Sequence, residues 1–457
     1  MLPECRSQEY LYPIPQFVTE EDQVENFVEE LRKFHGEFAD CFARSEPRGN
    51  FFDYMVGRLS HLERKSIEPT AVNVNGVNSV RSMQRTISDA VWYEDKILYR
   101  YQDMVCQEMG VCEGVLIFDE SGFVKKGESS AGVGRQYCGE VGKVENCQNG
   151  VFMGYASPKG YVLSDKRLFI KKKWFEDDYE DRRDKCRIPE DITFKTKPEL
   201  AAEMYPDTVG RDAVPFRYVV ADTIYGNSSD FLDAVESCVG KIYMVSMPYK
   251  TLFRLRPPVT KEQSYQYRGE LRSKTVLADN EKQPVSFDSF AKNLNSCFRY
   301  RRTVSEGTKG PVEYEFTKRN ITLAKDGLPW KNVRLIIKRT VGINPEYSYY
   351  ISNAPVSTRL NTFVWLSGIR WSVEQCFQEC KSEVGMGHYE VRKYTGRNRH
   401  MLSCMLAHFF LWHIKTELKE DAPSFTLPHI DGSSSHLGLD IGGKILNFLW
   451  IINNPFG

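Results

Sequence analysis

No two cysteines stand at CxxC spacing and no Cys/His set has the spacing of a zinc site, although the 457 residues include 12 cysteines. Scattered thiols of this kind argue against a disulfide framework or zinc ribbon and for free cysteines in a reducing compartment. No apolar run reaches the roughly 18 residues that a membrane span requires. The opening "MLPECRSQEYLYPIPQF" has no basic stretch followed by an apolar one, so the expectation is a cytoplasmic protein. There is no excess charge of either sign, with 61 basic against 61 acidic residues, which argues against a generic polyanion binder. No internal repeat or low-complexity segment is visible, and "DGSSSHLGLDIGG" at 431–443 is the one loose linker.

What is present is an ordinary soluble composition, 41% hydrophobic and 13% aromatic, in a chain long enough for two or three domains. The zero balance hides an asymmetry. Residues 1–60 hold 12 acidic and 6 basic side chains, whereas residues 241–340 hold 21 basic and 9 acidic ones. The second block is a candidate nucleic-acid surface.

Residues 20–110 show apolar positions at helical spacing. Within them Ser79 or Ser82 is a candidate cap for a helix opening at Met83, Gln84 and Arg85, where a Gln-Arg pair suits bases or phosphates in a groove and an exposed polar turn is the alternative. After Gly114, "GVLIFDESGF" reads as a short apolar run ending in Asp119, which suits a buried central strand. "NGVFMGYASPKGYVLSDKRLFI" reads as two strands around a Ser-Pro-Lys-Gly turn. "KPELAAEMY" is a helix, "FRYVVAD" a buried strand ending in Asp222, "SSDFLDAVESC" a capped helix and "KIYMVSMPY" a strand. The basic block, with "FRYRRTV", "VEYEFTKR", "VRLIIKRT" and "YSYYISNAP", is strand-like. "HMLSCMLAHFFLWHI" then predicts a core helix. Its His400, His408 and His413 share no face and read as core or helix-end residues.

Between the last two lies "GIRWSVEQCFQECKSEVGMGHYEVRKY". At about 100° per residue, Arg370, Glu374 and Lys381 fall within about 40° of one line, beside an apolar stripe of Val373, Cys376, Phe377, Cys380 and Val384. A solvated salt-bridge row is one reading. The other joins Glu374 to the two strand-end aspartates. Three carboxylates at one point repel unless cations sit among them, and hard divalent ions such as Mg²⁺ meet that need. Two such ions clamp the attacking and leaving oxygens of an in-line phosphoryl displacement.

These residues resemble the DDE transposases of bacterial insertion sequences, in the broad IS-four-like group whose last catalytic helix carries Y-x(2)-R-x(3)-E-x(6)-K. Arg370, Glu374 and Lys381 match the last three positions, and Ser367 stands in place of the Tyr. "FDESGFVKKG", "GRQYCGEVGKVENCQNGVFMGYAS", "IPEDITFKTKPELA", "VVADTIYG" and "EVGMGHYEVRKYTGRNRHMLSC" extend the likeness over roughly residues 75–415. The resemblance implies an α/β fold: an RNase H-like catalytic core with a β-rich insertion and a helical N-terminal domain. The expected division is a helical DNA-binding domain over 1–110, core over 111–249, insertion over 250–355, and core with C-terminal helices over 356–457.

It further implies a metal-binding catalytic triad of Asp119, Asp222 and Glu374, holding two Mg²⁺ ions with Mn²⁺ as a substitute. Arg370 and Lys381 would hold phosphates of terminal DNA, and Trp371 or Trp365 would stack on an extruded base, core packing being the other use of a Trp. Gln84 and Arg85 are candidate readers of the ends, and Arg299, Arg301 and Arg302 candidate backbone contacts. Lys125 and Lys126 are phosphate contacts or solvated charges; Cys376 and Cys380 read as inert. The expected partners are terminal inverted repeats, target DNA and a second copy of the chain in the DNA complex, in a bacterial nucleoid. The alternatives are a catalytically silent DNA-binding descendant and a stand-alone RNase H-like nuclease.

Overall fold

The computed structural model of the chain describes residues 21–307 and 310–418. The expected linker at 431–443 lies outside them. Five helices come first: α1 Glu21–Gly36, α2 Ser45–Leu59, α3 Ile67–Asn75, α4 Val80–Ser88 and α5 Glu94–Met109. Strands β1 Val115–Val124, β2 Gly134–Cys138, β3 Lys143–Ser157 and β4 Gly160–Phe169 follow, then α6 Glu180–Cys186, α7 Lys197–Gly210, β5 Tyr218–Ala221, α8 Thr223–Gly226, α9 Ser229–Glu236 and β6 Ile242–Met247. The basic block forms β7 Leu252–Arg254, β8 Thr260–Tyr267, β9 Glu270–Leu277, β10 Val285–Ser286, α10 Phe287–Lys292, β11 Tyr300–Gly307, β12 Gly310–Lys325, β13 Leu328–Thr340 and β14 Tyr347–Ser352. Helices α11 Leu360–Ile369, α12 Trp371–Ser382 and α13 Tyr394–Leu418 complete the described chain.

The sequence pattern explains most of these elements locally. Thr196 and Glu199 form a reciprocal capping box at the start of α7, where Pro198 occupies a first-turn position. Ser228 caps α9 by accepting from the Phe231 amide. The Ser-Pro-Lys-Gly turn joins β3 to β4 antiparallel, with Ser157 opposite Gly160. One expectation shifts: α4 begins at Val80, with Ser79 before it, so Gln84 and Arg85 stand mid-helix. The Ser79 hydroxyl donates back to the Ala71 and Gly76 carbonyls and is spent on the preceding turn.

Strands β4, β3, β1, β5 and β6 lie side by side in that order. The first three are antiparallel neighbours, and β1, β5 and β6 are parallel. This is the RNase H-like sheet. The sheet does not stop at β6, because β14, β13 and β12 add to it antiparallel, with Tyr349 opposite Met247 and Ile337 opposite Tyr349. The insertion therefore extends the core sheet through its apolar residues Leu335, Ile336 and Ile337, and β6 is left with no open edge. Only β8 and β9 stand apart, as a two-stranded ribbon.

By its own contacts the chain divides differently from the expected four parts. One unit comprises Gln102–Asp184 and Pro189–Phe377, uniting core and insertion; the other comprises residues up to Tyr101, Lys185–Ile188 and those from Gln378 onward. The physical reason for the second grouping is α13, whose residues 401–411 are buried all round and require partners. It finds them in the first helices, where Phe410 meets Phe27 at 5.3 Å and His400 Nδ1 lies 2.7 Å from the Tyr54 hydroxyl.

Candidate active site

Parallel pairing brings the two aspartates together. Phe118 of β1 is paired with Ala221 of β5 at the end of their ladder. The next residue on each strand, Asp119 and Asp222, therefore emerges side by side, about 4.8 Å apart along the hydrogen-bonding direction. Asp222 at once becomes the N-cap of α8. That one-turn helix sits directly on β6, since a Cβ at Gly226 would stand 2.2 Å from the Ser246 carbonyl oxygen. Only glycine permits the approach.

Glu374 arrives by the packing of α12. Its Val373 Cγ2 lies 3.3 Å from where a Cβ of Gly154 would be, and Phe377 meets Phe152 edge to face at 5.2 Å. Gly154 and Phe152 on β3 are the cross-strand partners of Ile117 and Asp119, so strand alternation places them on the face where Asp119 points. The apolar stripe thus anchors the helix over that face. The polar stripe meets the carboxylate: Arg370 Nη1 is 3.6 Å from Asp119 Oδ2 and Nη2 is 2.5 Å from Glu374 Oε1. The Arg370–Glu374 pair thus extends beyond its own helix to Asp119 of β1.

The electrostatics follow from burial. Desolvation pushes the Asp119 carboxyl up to about 7; Arg370 and the Glu120 amide pull it back, while the Glu120 and Asp222 charges add to the rise. Arg370 is itself desolvated, which opposes its charge, yet Glu374, Asp119 and Asp222 together hold its pKa above the ordinary value. Asp119 and Glu374 therefore share one guanidinium, which also feels the charge of Asp222. The donor set is all oxygen and one member is desolvated, so the residues fit a hard divalent cation supplying the charge that Arg370 supplies here.

Other expected residues are placed as follows. Trp371 is 59% exposed, whereas Trp365 packs edge to face on Tyr218 at 5.5 Å. Lys381 is half-buried in the last turn of α12. Ser367, in the signature Tyr position, donates to the Val364 carbonyl at 2.8 Å inside its own helix. His400, His408, Cys376 and Cys380 are all buried. Lys126 is exposed and Lys125 half-buried. Arg299 donates to the Leu294 carbonyl at 2.7 Å and Arg302 to Asn361 at 3.2 Å; exposed Arg301 lies 3.9 Å from Glu313.

Gln84 and Arg85 line a groove of about 530 Å³ in the helical unit, together with Arg81, Glu68, Arg392 and Lys393. Lys393 and Arg187 both engage Asp89. Among the described residues no carboxylate pairs with Arg81, Arg85 or Arg392.

Sequence reading missed a second layer on the opposite face of β1. Glu120 accepts from Lys197 Nζ at 2.8 Å and from the Tyr225 hydroxyl at 3.2 Å. The available signal was positional, since Glu120 follows Asp119 and Tyr225 comes three residues after Asp222.

A family described as DDE superfamily endonuclease matches residues 37–311, and the chain belongs to that family. Its members work with divalent metal ions. The chain is 23% identical over 349 residues, 75% of its length and 77% of the relative's, to a probable transposase for insertion sequence element IS701 of Microchaete diplosiphon. Among solved structures it is similar to a piggyBac transposase synaptic complex with hairpin DNA, at 10% identity and TM-score 0.38, covering 97% of this chain and 77% of that one. A looser likeness is to the NurA nuclease of Sulfolobus solfataricus, at 10% identity and TM-score 0.23, covering 73% of this chain and 94% of that one. Among the described residues no helix is long and apolar enough to cross a membrane.

Proposed function

We propose that the chain is a transposase that binds the terminal inverted repeats of its element, cleaves to expose 3′-OH ends and joins them to target DNA. The observation that carries this reading is the Arg370 guanidinium set between Asp119 and Glu374, with Asp222 on the adjoining strand end. In cleavage a water oxygen attacks phosphorus and the P–O3′ bond breaks, leaving the 3′-OH; in joining, that hydroxyl attacks a target phosphorus and displaces a target 3′ oxygen. Asp119, Asp222 and Glu374 would hold two divalent ions, Mg²⁺ or Mn²⁺, which would supply positive charge for activating the attacking oxygen and stabilising the leaving one.

Released from its carboxylates, Arg370 holds a phosphate of the bound strand, with Lys381 further along the same helix. Exposed Trp371 offers a stacking face for an unpaired base. The α4 groove, with Gln84 and Arg85, reads the element ends, and Arg301 and Arg302, supported by Arg299, contact backbone. Both ends must be held at once, so a homodimer assembles on the DNA, in the bacterial cytoplasm at the nucleoid.

The test is Glu374→Gln, which keeps size and helix position but removes the charge. Cleavage and joining of end DNA in Mg²⁺ should fall by about a hundred-fold or more while folding and end binding persist. Combining it with Asp119→Asn should cost hardly more, because groups acting as one unit are not additive. Near-normal cleavage by the Gln variant would sink the site. Wild-type cleavage without joining would favour the nuclease reading; binding without cleavage would favour the silent one.

A further inference from the structure

Lys338 lies on β13, in the insertion, within the basic run "VRLIIKRT" but outside the catalytic signature and the arginines named as backbone contacts. Cross-strand pairing fixes the face on which it stands. Ser246 of β6 is opposite Tyr350 of β14, Tyr350 is opposite Ile336 of β13, and Lys338 comes two residues after Ile336. Ser246 is in turn level with Asp222, one step beyond the paired Ala221 and Val245. Strand alternation therefore aims Lys338, Tyr350 and Asp222 to one side of the sheet. It is the side over which Arg370 and Glu374 are brought.

The surroundings of Lys338 are unusual for a lysine. It is half-buried, its Nζ sits 4.0 Å from the centre of the Tyr314 ring, and among the described residues no carboxylate pairs with it. Burial pulls its pKa down, and the nearby Arg370 cation pulls it further. A half-buried cation without a carboxylate, on the face to which Asp222 points, favours an anion beside it. Three strand spacings of about 4.8 Å separate the β13 and β5 backbones, and the lysine side chain closes part of that gap. With phosphates about 3.4 Å apart along the axis of one strand, the anion lies beside the cleaved bond and not at it.

We propose that Lys338, together with Arg370, binds a DNA backbone phosphate a few nucleotides from the bond to be cleaved, so that the insertion strand β13 helps to register the substrate in the active site. The inference rests on the transposase reading of that site. Lys338 is a positioning residue: it touches the substrate's backbone away from the reacting atoms.

The experiment uses the full chain and duplexes from the ends of the DNA segment that encodes it, each with one phosphate replaced by an uncharged methylphosphonate. Binding is measured in Ca²⁺ and single-turnover cleavage in Mg²⁺, for the wild type, Lys338→Met and Lys338→Arg. The Met variant should bind about ten-fold more weakly, the loss of one charge-assisted contact, and the Arg variant should recover most of it. At one position near the cleaved bond, neutralising the phosphate should weaken the wild type about as much and leave the Met variant nearly unaffected, which is the coupling expected of a direct pair. A purely structural role would not produce that position-specific loss of sensitivity. If every neutralised phosphate costs wild type and Met variant equally, or if the Met variant binds normally, the inference fails while wild-type cleavage still upholds the site. If the wild type neither binds nor cleaves these ends, the transposase reading fails and this inference with it.

Discussion

At Asp119 burial and charge pull in opposite directions, and the balance makes a pH prediction. Its carboxyl has an unfolded value of 3.8 and a native value of about 7, raised first by desolvation. Between those two values the ion-free native chain holds a proton that the unfolded chain has released. This group therefore favours the native state most strongly below about pH 4, and the advantage is lost as pH rises through about 7. Binding of a divalent ion needs the carboxylate and so strengthens over the same range, with release of a proton. The expected outcome is that Mg²⁺ raises the melting temperature more at about pH 8 than at about pH 6, and that Asp119→Asn abolishes the rise. Scanning fluorimetry with and without chelator checks it. An equal Mg²⁺ effect at both pH values would remove Asp119 from the ligand set.

At the scale of an element, α4 presents a polar face that distant residues complete. Met83, Thr86 and Ile87 are buried, which turns Arg81, Gln84 and Arg85 outward. The groove is completed by Arg392 and Lys393, some 300 residues away in the chain. If it reads element ends, Arg81→Ala and Arg392→Ala should each weaken binding of end and random DNA alike, and each should reduce the log-log salt slope by about one. Gln84→Ala should instead narrow the preference for end over random DNA, by about 1–3 kcal/mol if its amide contacts a base edge. Anisotropy titrations over a range of salt separate the two effects. Unchanged slopes and an unchanged preference would place recognition on another surface.

At the scale of the whole molecule, the first helices and the last one belong to a single unit. A fragment ending at residue 110 keeps Phe27, Phe34 and Tyr54 but loses Phe410 and His400, with which they pack. Such a fragment is expected to melt without a cooperative transition and to show poorly dispersed amide signals, exposing the apolar face of α1. Sharp cooperative melting of the 1–110 fragment, followed by calorimetry or circular dichroism, would show that the first helices fold independently. The same grouping means that DNA recognition by this region has to be measured on the full chain.

The local pattern was sufficient for a good part of this protein. Alternation and apolar runs marked β1, β3, β5 and β6, cap chemistry marked α7 and α9, and the apolar stripe of α12 predicted which side of that helix would be buried, leaving Glu374 at its edge. These depend on neighbours within one or two turns, so the sequence carries them directly. The start of α4 was misplaced because Ser79 has two equally local uses, as a cap and as a donor to the preceding turn, and the fold takes the second. The continuation of the core sheet through β14, β13 and β12, the Glu120–Lys197–Tyr225 layer and the placement of Lys338 on the sheet face of Asp222 all depend on cross-strand register between distant segments. Register is fixed by which faces are buried together and by which edges are covered, and those conditions exist only once the chain has folded.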